Sequence, residues 1–324
     1  MVERDHGGNL DEARAQYGGE AWIDLSTGIN RSPYPVPAFA PEAWTRLPGA
    51  QALSELVAAA ADAYGVSADQ VLPVAGAQAA IQLYPRLRPA GDARVIAPTY
   101  NEHAASLVAH GWSLQNADGI RALAGADLAV VVNPNNPDGR SWTAESLEGV
   151  AKRVGFLVVD ESFADPHPEC SAVACLNDKM LILRSFGKFY GLAGARLGFV
   201  LAAPSVIGAL RQLAGPWSVS GPAMELGAKA LRDTGWQSAT TARLHTDAER
   251  LDACAARAGW PLVGGTALFR TYATPDAERA QDHLARRAIW SRRFPYSKTW
   301  LRLGLPHGGE WARVEQALSE WRPV

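Results

Sequence analysis

Leu183-Arg184-Ser185-Phe186-Gly187-Lys188-Phe189-Tyr190-Gly191-Leu192-Ala193-Gly194-Ala195-Arg196-Leu197-Gly198-Phe199 places a hydroxyl, an amine and a guanidinium at i, i+3 and i+11 of a glycine-rich loop. The run before it, Met180-Leu181-Ile182-Leu183, is apolar at every position, as a strand buried on both faces of a sheet is. A lysine amine held in such a loop can condense with an aldehyde. A serine hydroxyl and the planar fork of an arginine can hold a phosphate. Ser-x-x-Lys alone is common, and a lysine among glycines is often only a solvated loop, so the rest of the chain decides.

The chain has 324 residues, 48% hydrophobic and 20% charged, enough to bury a large core in one or two domains. Its net charge is −2 and it carries no basic run, which gives no sign of nucleic-acid binding. Cys170, Cys175 and Cys254 form no ligand-like cluster, so no metal site is expected, and their sparse, odd count fits a reducing cytoplasm. The start is polar and lacks the apolar segment of a secretory leader. No uninterrupted apolar run reaches membrane-spanning length.

From residue 71 to 202, short apolar runs alternate with helical periodicity. Strands are expected at Val71–Val74, Arg94–Ala97, Leu128–Asn133, Phe156–Asp160, Met180–Ser185 and Phe199–Ala202, with helices at Ala50–Tyr64, after Gly76, and at Glu102–His110 and Ala144–Arg153. This pattern predicts an α/β domain with a mainly parallel sheet flanked by helices. Beyond 204 helical segments dominate, with strand-like runs at Leu268–Tyr272 and Trp300–Leu305, which predicts a smaller α+β domain. The expected division is a large domain over 36–204 and a small one over 205–324, with an arm over 1–35 packing on the latter. Pro33, Pro35, Pro37 and Pro41 keep residues 31–41 extended.

In an open α/β sheet, ligands bind beyond the carboxyl ends of the strands. Polar residues follow these strands there. Gly76-Ala77-Gln78 opens a helix, where free backbone N–H groups favour an anion, though an ordinary cap reads the same. Tyr100 offers an aromatic face for a planar ring, or simple packing. Asn133-Pro134-Asn135-Asn136-Pro137-Asp138-Gly139 could be a plain turn, yet Asn136 is a neutral donor suited to a phenolate oxygen. Asp160 ends an apolar strand, where a carboxylate needs a cationic partner: a protonated pyridine nitrogen, or an arginine elsewhere in the fold.

In this order, the motifs resemble the pyridoxal 5'-phosphate (PLP) dependent aminotransferase superfamily, fold type I, of the aspartate-aminotransferase-like kind. Asn-Pro-Asn-Asn-Pro-x-Gly, Asp160-Glu161-Ser162-Phe163 and the block from Ser185 to Phe199 carry the resemblance, which covers nearly the whole chain. Within the superfamily the chain is most similar to histidinol-phosphate aminotransferases and to the threonine-phosphate decarboxylases of cobalamin biosynthesis. The resemblance implies that Lys188 is the Schiff-base lysine and proton shuttle and that Asp160 pairs with the pyridine nitrogen. Asn136 contacts the ring oxygen and Tyr100 stacks on the ring. Backbone at Ala77 and Gln78, with Ser185 and Arg196, holds the cofactor phosphate, and Arg302 grips the substrate carboxylate. It also implies a homodimer.

Three departures stand out. Phe163 occupies a position where the aminotransferases usually have Tyr, and threonine-phosphate decarboxylases tend to have Phe. Leu47-Pro48-Gly49 replaces a Tyr-Pro-Asp motif whose tyrosine reaches the neighbouring subunit's phosphate. Asp138 replaces a threonine. His6-Gly7-Gly8-Asn9, Asp24-Leu25-Ser26-Thr27-Gly28-Ile29-Asn30 and Pro216-Trp217-Ser218-Val219 look like decarboxylase blocks, with Gly28 in place of an Asn seen in some members. By that resemblance His6, Gly7 and Asn136 help to bind substrate, and Arg292 is a second anion-binding arginine. Mobile-terminus and surface-charge readings remain open for His6 and Arg292. The resemblance implies decarboxylation of O-phospho-L-threonine to (R)-1-amino-2-propanol phosphate, with a histidinol-phosphate-type aminotransferase as the alternative. A PLP-binding regulatory module is a third reading, disfavoured because too few residues precede the first helix for a helix-turn-helix domain and because Lys188 is retained.

Overall fold

Runs of Val, Ile and Leu too short for helices supply the strands, and the amphipathic stretches between them supply the helices. The computed structural model describes residues 6–322, so the first five residues of the arm expected over 1–35 lie outside the described part. In chain order, α1 (Leu10–Tyr17) and β1 (Ile23–Asp24) precede the proline-rich stretch at 31–41, which carries neither helix nor strand. Next come α2 (Glu42–Thr45), α3 (Ala50–Tyr64), β2 (Val71–Val74), α4 (Ala77–Leu83), β3 (Asp92–Ile96), α5 (Asn101–Ala109) and β4 (Ser113–Ala117). The chain continues through β5 (Leu128–Val132), α6 (Ala144–Ala151), β6 (Leu157–Asp160), β7 (Met180–Ser185), α7 (Phe186–Phe189) and β8 (Gly198–Ala202). The last part holds α8 (Pro204–Ala214), α9 (Gly221–Arg232), α10 (Thr234–Arg257), β9 (Leu262–Thr266), β10 (Phe269–Ala273), α11 (Ala277–Ala285), β11 (Ile289–Trp290), β12 (Arg292–Phe294), β13 (Ser297–Gly304) and α12 (Trp311–Ser319).

Two compact units form. One comprises Tyr34–Asn136 and Ser141–Gln237; the other comprises Met1–Pro33, Pro137–Arg140 and Ser238–Val324. The border thus differs from the expected 204/205. The reason is packing: Ile207 and Leu210 of α8 are buried in the same cluster as Leu72 and Val200 of the large sheet.

The first unit is built on a seven-stranded sheet in the order β2-β8-β7-β6-β5-β3-β4. Only β8 runs against the rest. A short connection suffices to join β7 to an antiparallel neighbour, and residues 186–197 are such a connection. The reversal has a chemical consequence. The start of β8, next to Arg196, falls at the sheet edge where the parallel strands end. Val130, Val158, Leu181, Leu183 and Val200 are fully buried in the centre. Behind the lysine turn, Phe186 stacks on Tyr190 (4.4 Å, 15°) and Tyr190 on Trp236 (5.6 Å, 11°), a column of three rings under α7. Strand β4 is polar on most positions, and its periodicity gave no sign of a strand.

The second unit has a four-stranded antiparallel sheet, β12-β13-β10-β9, and a parallel pair, β1 with β11. Ala13, Trp22, Ala285 and Trp290 form its buried cluster around that pair, the two tryptophan rings edge-to-face at 6.2 Å. The arm therefore contains a helix and a strand.

Candidate active site

In the first unit, six chain segments meet at one edge of the sheet. The turn after β2 brings Gly76, Ala77 and Gln78, and the turn after β3 brings Tyr100. The end of β5 leads to Asn136, Asp160 closes β6, Ser185 closes β7 and leads to Lys188, and Arg196 enters β8. Ala77, Gln78, Tyr100, Asn136, Asp160, Ser185, Lys188 and Arg196 all line a single cavity of about 220 Å³. The sequence reading named these eight residues one by one, and the fold brings them together.

Each is held by its own local chemistry. The two loops carrying Tyr100 and Asn136 are tied to each other. Asn135 Nδ2 donates to the Pro98 carbonyl (3.0 Å), and Thr99 Oγ1 donates to Asn135 Oδ1 (2.6 Å). Asn133 is consumed by the backbone of Trp142 and Cys170. Of the three asparagines in the motif, Asn136 is the one that lines the cavity. Tyr100 Oη donates to Gln78 Oε1 (3.1 Å), which fixes the ring beside the start of α4.

The phosphate end has a distinct donor set. Gly76 has φ +79°, and a Cβ there would lie 3.0 Å from Arg196 Nη2, so the guanidinium lies against a position only glycine leaves open. No side chain caps α4 at Gly76, and the Ser185 side chain does not cap α7. Two backbone N–H groups, a hydroxyl and a guanidinium thus converge on one end of the cavity, a set that suits a phosphate.

Asp160, 2% exposed, lines the same cavity. Its Oδ1 accepts from Ser162 N (2.9 Å) and Ser162 Oγ (2.5 Å), and its Oδ2 faces His103 Nε2 at 2.8 Å. Burial acts to raise its pKa, but the hydrogen bond and the electrostatic attraction of His103, with the hydrogen bonds from Ser162, outweigh it and hold the carboxyl below its ordinary value. The partner inside the fold is a histidine, then, and not the arginine considered from sequence. His103 and Ser162 were missed. The signal was present: His103 stands three residues after Tyr100, the residue that caps the start of α5. Arg184, one residue before Ser185, belongs to a separate buried group, with its guanidinium on Glu161 (2.8 Å) and Asp165 (2.7 Å). The Lys188 ammonium stands 5.5 Å above the Phe163 ring. These residues fit a flat ring with a phosphate at one end and a protonated nitrogen at the other.

The second unit holds the remaining candidates. Arg292 of β12 and Arg302 of β13 are directly opposite in the antiparallel register, so both side chains leave the same face of the sheet. Arg302 is 5% exposed; its Nη2 donates to the Ser26 carbonyl (2.6 Å) and its guanidinium lies 5.2 Å over Phe269. Ser26 Oγ accepts from Gly8 N (2.7 Å) and donates to Asp24 Oδ1 (2.6 Å). A Cβ on Gly7 would come within 2.4 Å of the Ser26 carbonyl oxygen, so that position admits only glycine. His6, Gly7, Ser26 and Arg292 line one cleft of this unit. Gly7→Ala should therefore push on Ser26 and, through it, on Arg302. We expect a KM for the substrate raised roughly tenfold with cofactor affinity unchanged, measured by steady-state kinetics and a cofactor titration; an unchanged KM would show that the docking is irrelevant to binding.

Residues 21–320 match the family model for aminotransferase class I and II. The chain is 43% identical to a threonine-phosphate decarboxylase from Pseudomonas aeruginosa and 42% identical to one from a Sinorhizobium species, each alignment covering 97% of both chains. The fold is similar to that of histidinol-phosphate aminotransferase from Sinorhizobium meliloti in complex with pyridoxal 5'-phosphate (TM-score 0.83, 21% identity, 96% of this chain and 93% of that one). It is also similar to L-threonine-O-3-phosphate decarboxylase from Porphyromonas gingivalis (TM-score 0.74, 16% identity, 86% and 93%).

Proposed function

The chain belongs to the aminotransferase class I and II family, and from that premise we propose that it is a PLP-dependent lyase that decarboxylates O-phospho-L-threonine to (R)-1-amino-2-propanol phosphate for cobalamin biosynthesis. Ala77 and Gln78 N–H, Ser185 and Arg196 would hold the cofactor phosphate, Tyr100 and Asn136 the ring, and Asp160 its nitrogen. When bound, PLP supplies an electron-withdrawing ring that takes up the electron pair left on Cα as a bond there breaks. The chain's residues do the rest. Asp160, ionised and hydrogen-bonded, keeps the ring nitrogen protonated. Lys188 Nζ holds the cofactor and moves a proton at Cα.

The observation that carries the substrate reading is the opposed pair Arg292 and Arg302. Two guanidinium groups leaving the same face of a sheet suit a substrate with two anionic groups a few bonds apart. Arg302 takes the carboxylate; Arg292, with His6 and Gly7, takes the phosphate. By fixing the substrate carboxylate, Arg302 would favour loss of CO₂ over transamination.

The test is incubation with phosphothreonine without 2-oxoglutarate: CO₂ should be released. No CO₂, together with conversion of histidinol phosphate when 2-oxoglutarate is present, would replace this reading with the aminotransferase. A charge-assisted hydrogen bond contributes about 1.5–3 kcal/mol, so Arg292→Ala should lower kcat/KM for phosphothreonine roughly ten- to a hundredfold and leave PLP retention intact. Arg302→Ala should add some transamination product.

We also propose a cytoplasmic homodimer. Val36, Trp44 and Leu47 are 58%, 68% and 67% exposed within one short stretch, an apolar surface that a second copy would cover. Light scattering should give about twice the 34.6 kDa chain mass; a 34.6 kDa active species would contradict it. Among the described residues, no helix is long and apolar enough to cross a membrane.

A further inference from the structure

Helix α4 begins at the phosphate-binding end of the cavity, and its C-terminal flank, at Tyr84, lies behind Asp160. Tyr84 is 1% exposed and belongs to the apolar core of the large sheet, where a phenol is out of place unless its hydroxyl has work. That hydroxyl stands 3.1 Å from His103 Nδ1, while His103 Nε2 stands 2.8 Å from Asp160 Oδ2. His103 is itself fully buried. The three side chains make one line: phenol, imidazole, carboxylate.

The donors along this line can be counted. An ionised carboxylate only accepts, so His103 must carry hydrogen on Nε2. The phenol then meets Nδ1. If Nδ1 also carried hydrogen, Tyr84 would accept there, and its own O–H would need another acceptor in an apolar core. If Nδ1 is a lone pair, the O–H donates to it and every polar atom of the line is satisfied. Burial and the negative charge of Asp160 both push the Tyr84 phenol well above its ordinary value, so it keeps the hydrogen it must donate. The charged and titratable groups against His103 are Tyr84, Asp160 and the edge of the Tyr100 ring at 6.1 Å.

We propose that Tyr84 is a positioning residue of the active site: by donating to His103 Nδ1 it holds the imidazole neutral, with its hydrogen on Nε2, so that a full negative charge remains on Asp160. A protonated imidazole there would neutralise the carboxylate and leave less to hold a protonated ring nitrogen. The kinetic part of this inference rests on the proposed function; the tautomer does not.

Tyr84→Phe keeps the ring and removes the donor. In long-range ¹H–¹⁵N spectra of histidine-labelled full-length protein, with and without PLP, wild-type His103 should show only the Nε2–H neutral form under the conditions of the activity assay. The signal is assigned by its loss in His103→Asn. In Tyr84→Phe it should become a mixture of tautomers or a doubly protonated form. With PLP, kcat for phosphothreonine should fall roughly three- to tenfold, the range of one neutral hydrogen bond, at unchanged KM. A wild-type His103 that is doubly protonated or carries its hydrogen on Nδ1 overturns the proposal, and so does an unaltered tautomer in Tyr84→Phe. Should the variant not fold, the wild-type spectrum still decides. A protein that shows the expected tautomers but has no activity on phosphothreonine would refute the substrate reading and leave the tautomer assignment standing.

Discussion

Lys188→Ala should abolish both turnover and covalent attachment of PLP. Among the residues lining the cavity, Lys188 supplies the one side-chain amine, so no neighbour can replace it. Proton transfer by a positioned side chain alone contributes about 10²–10⁴-fold, and loss of the attachment point adds to this, so activity should fall by at least about 10³-fold. The phosphate donors are untouched, and the variant should still bind PLP reversibly. Borohydride treatment followed by mass spectrometry should leave a permanent cofactor mass on the wild type and none on the variant. A cofactor still fixed to the variant at the same stoichiometry would show that the attachment lies elsewhere.

Asp160→Asn should have the second largest effect, and on kcat more than on affinity. The amide keeps the shape but not the charge. Its N–H₂ end must face either the backbone N–H of Ser162, donor against donor, or His103 Nε2, which can accept it only by giving up the hydrogen it holds there. Breaking a buried charged pair costs about 3–5 kcal/mol. Realised in the transition state, that is a loss in kcat of roughly 10²- to 5 × 10³-fold. PLP affinity should change far less, because Ser185, Arg196 and the start of α4 are intact. Rapid-quench measurement of CO₂ release beside a fluorescence titration with PLP separates the two. Near-wild-type turnover would remove Asp160 from the role proposed.

The sheet and the cavity were legible for a simple reason. Strands buried on both faces read as unbroken apolar runs, and polar residues that follow them directly, such as Asn136, Asp160 and Ser185, stand out against that background. Contacts made by partners distant in sequence left no such trace. His103 could be found only through its spacing from Tyr100, and nothing near Arg302 announces Ser26, 276 positions away. Strand β4 escaped because it is half exposed and polar. The border between units was misplaced because helical periodicity at 205–232 says which face is apolar but not which surface it covers. The glycines at 7 and 8 looked like a family signature before the Ser26 carbonyl gave at least one of them a steric reason.

The pairing of β1 with β11 also dictates an order of events during synthesis. Ile23 needs Ile289, Leu25 needs Gly304, and Ser26 needs Arg302. At about 5–20 residues per second, the amino-terminal arm waits some tens of seconds on the ribosome for partners that do not yet exist, with Trp22 and its neighbours uncovered. All strands of the large sheet, by contrast, have been translated by residue 202. The nascent chain thus carries a sticky leading end past a sheet that is already complete in sequence, and a ribosome stalled anywhere before Ile289 releases a product whose arm has nowhere to go. Until the last strands emerge, Trp22 and Ile23 lack the residues that bury them in the finished fold.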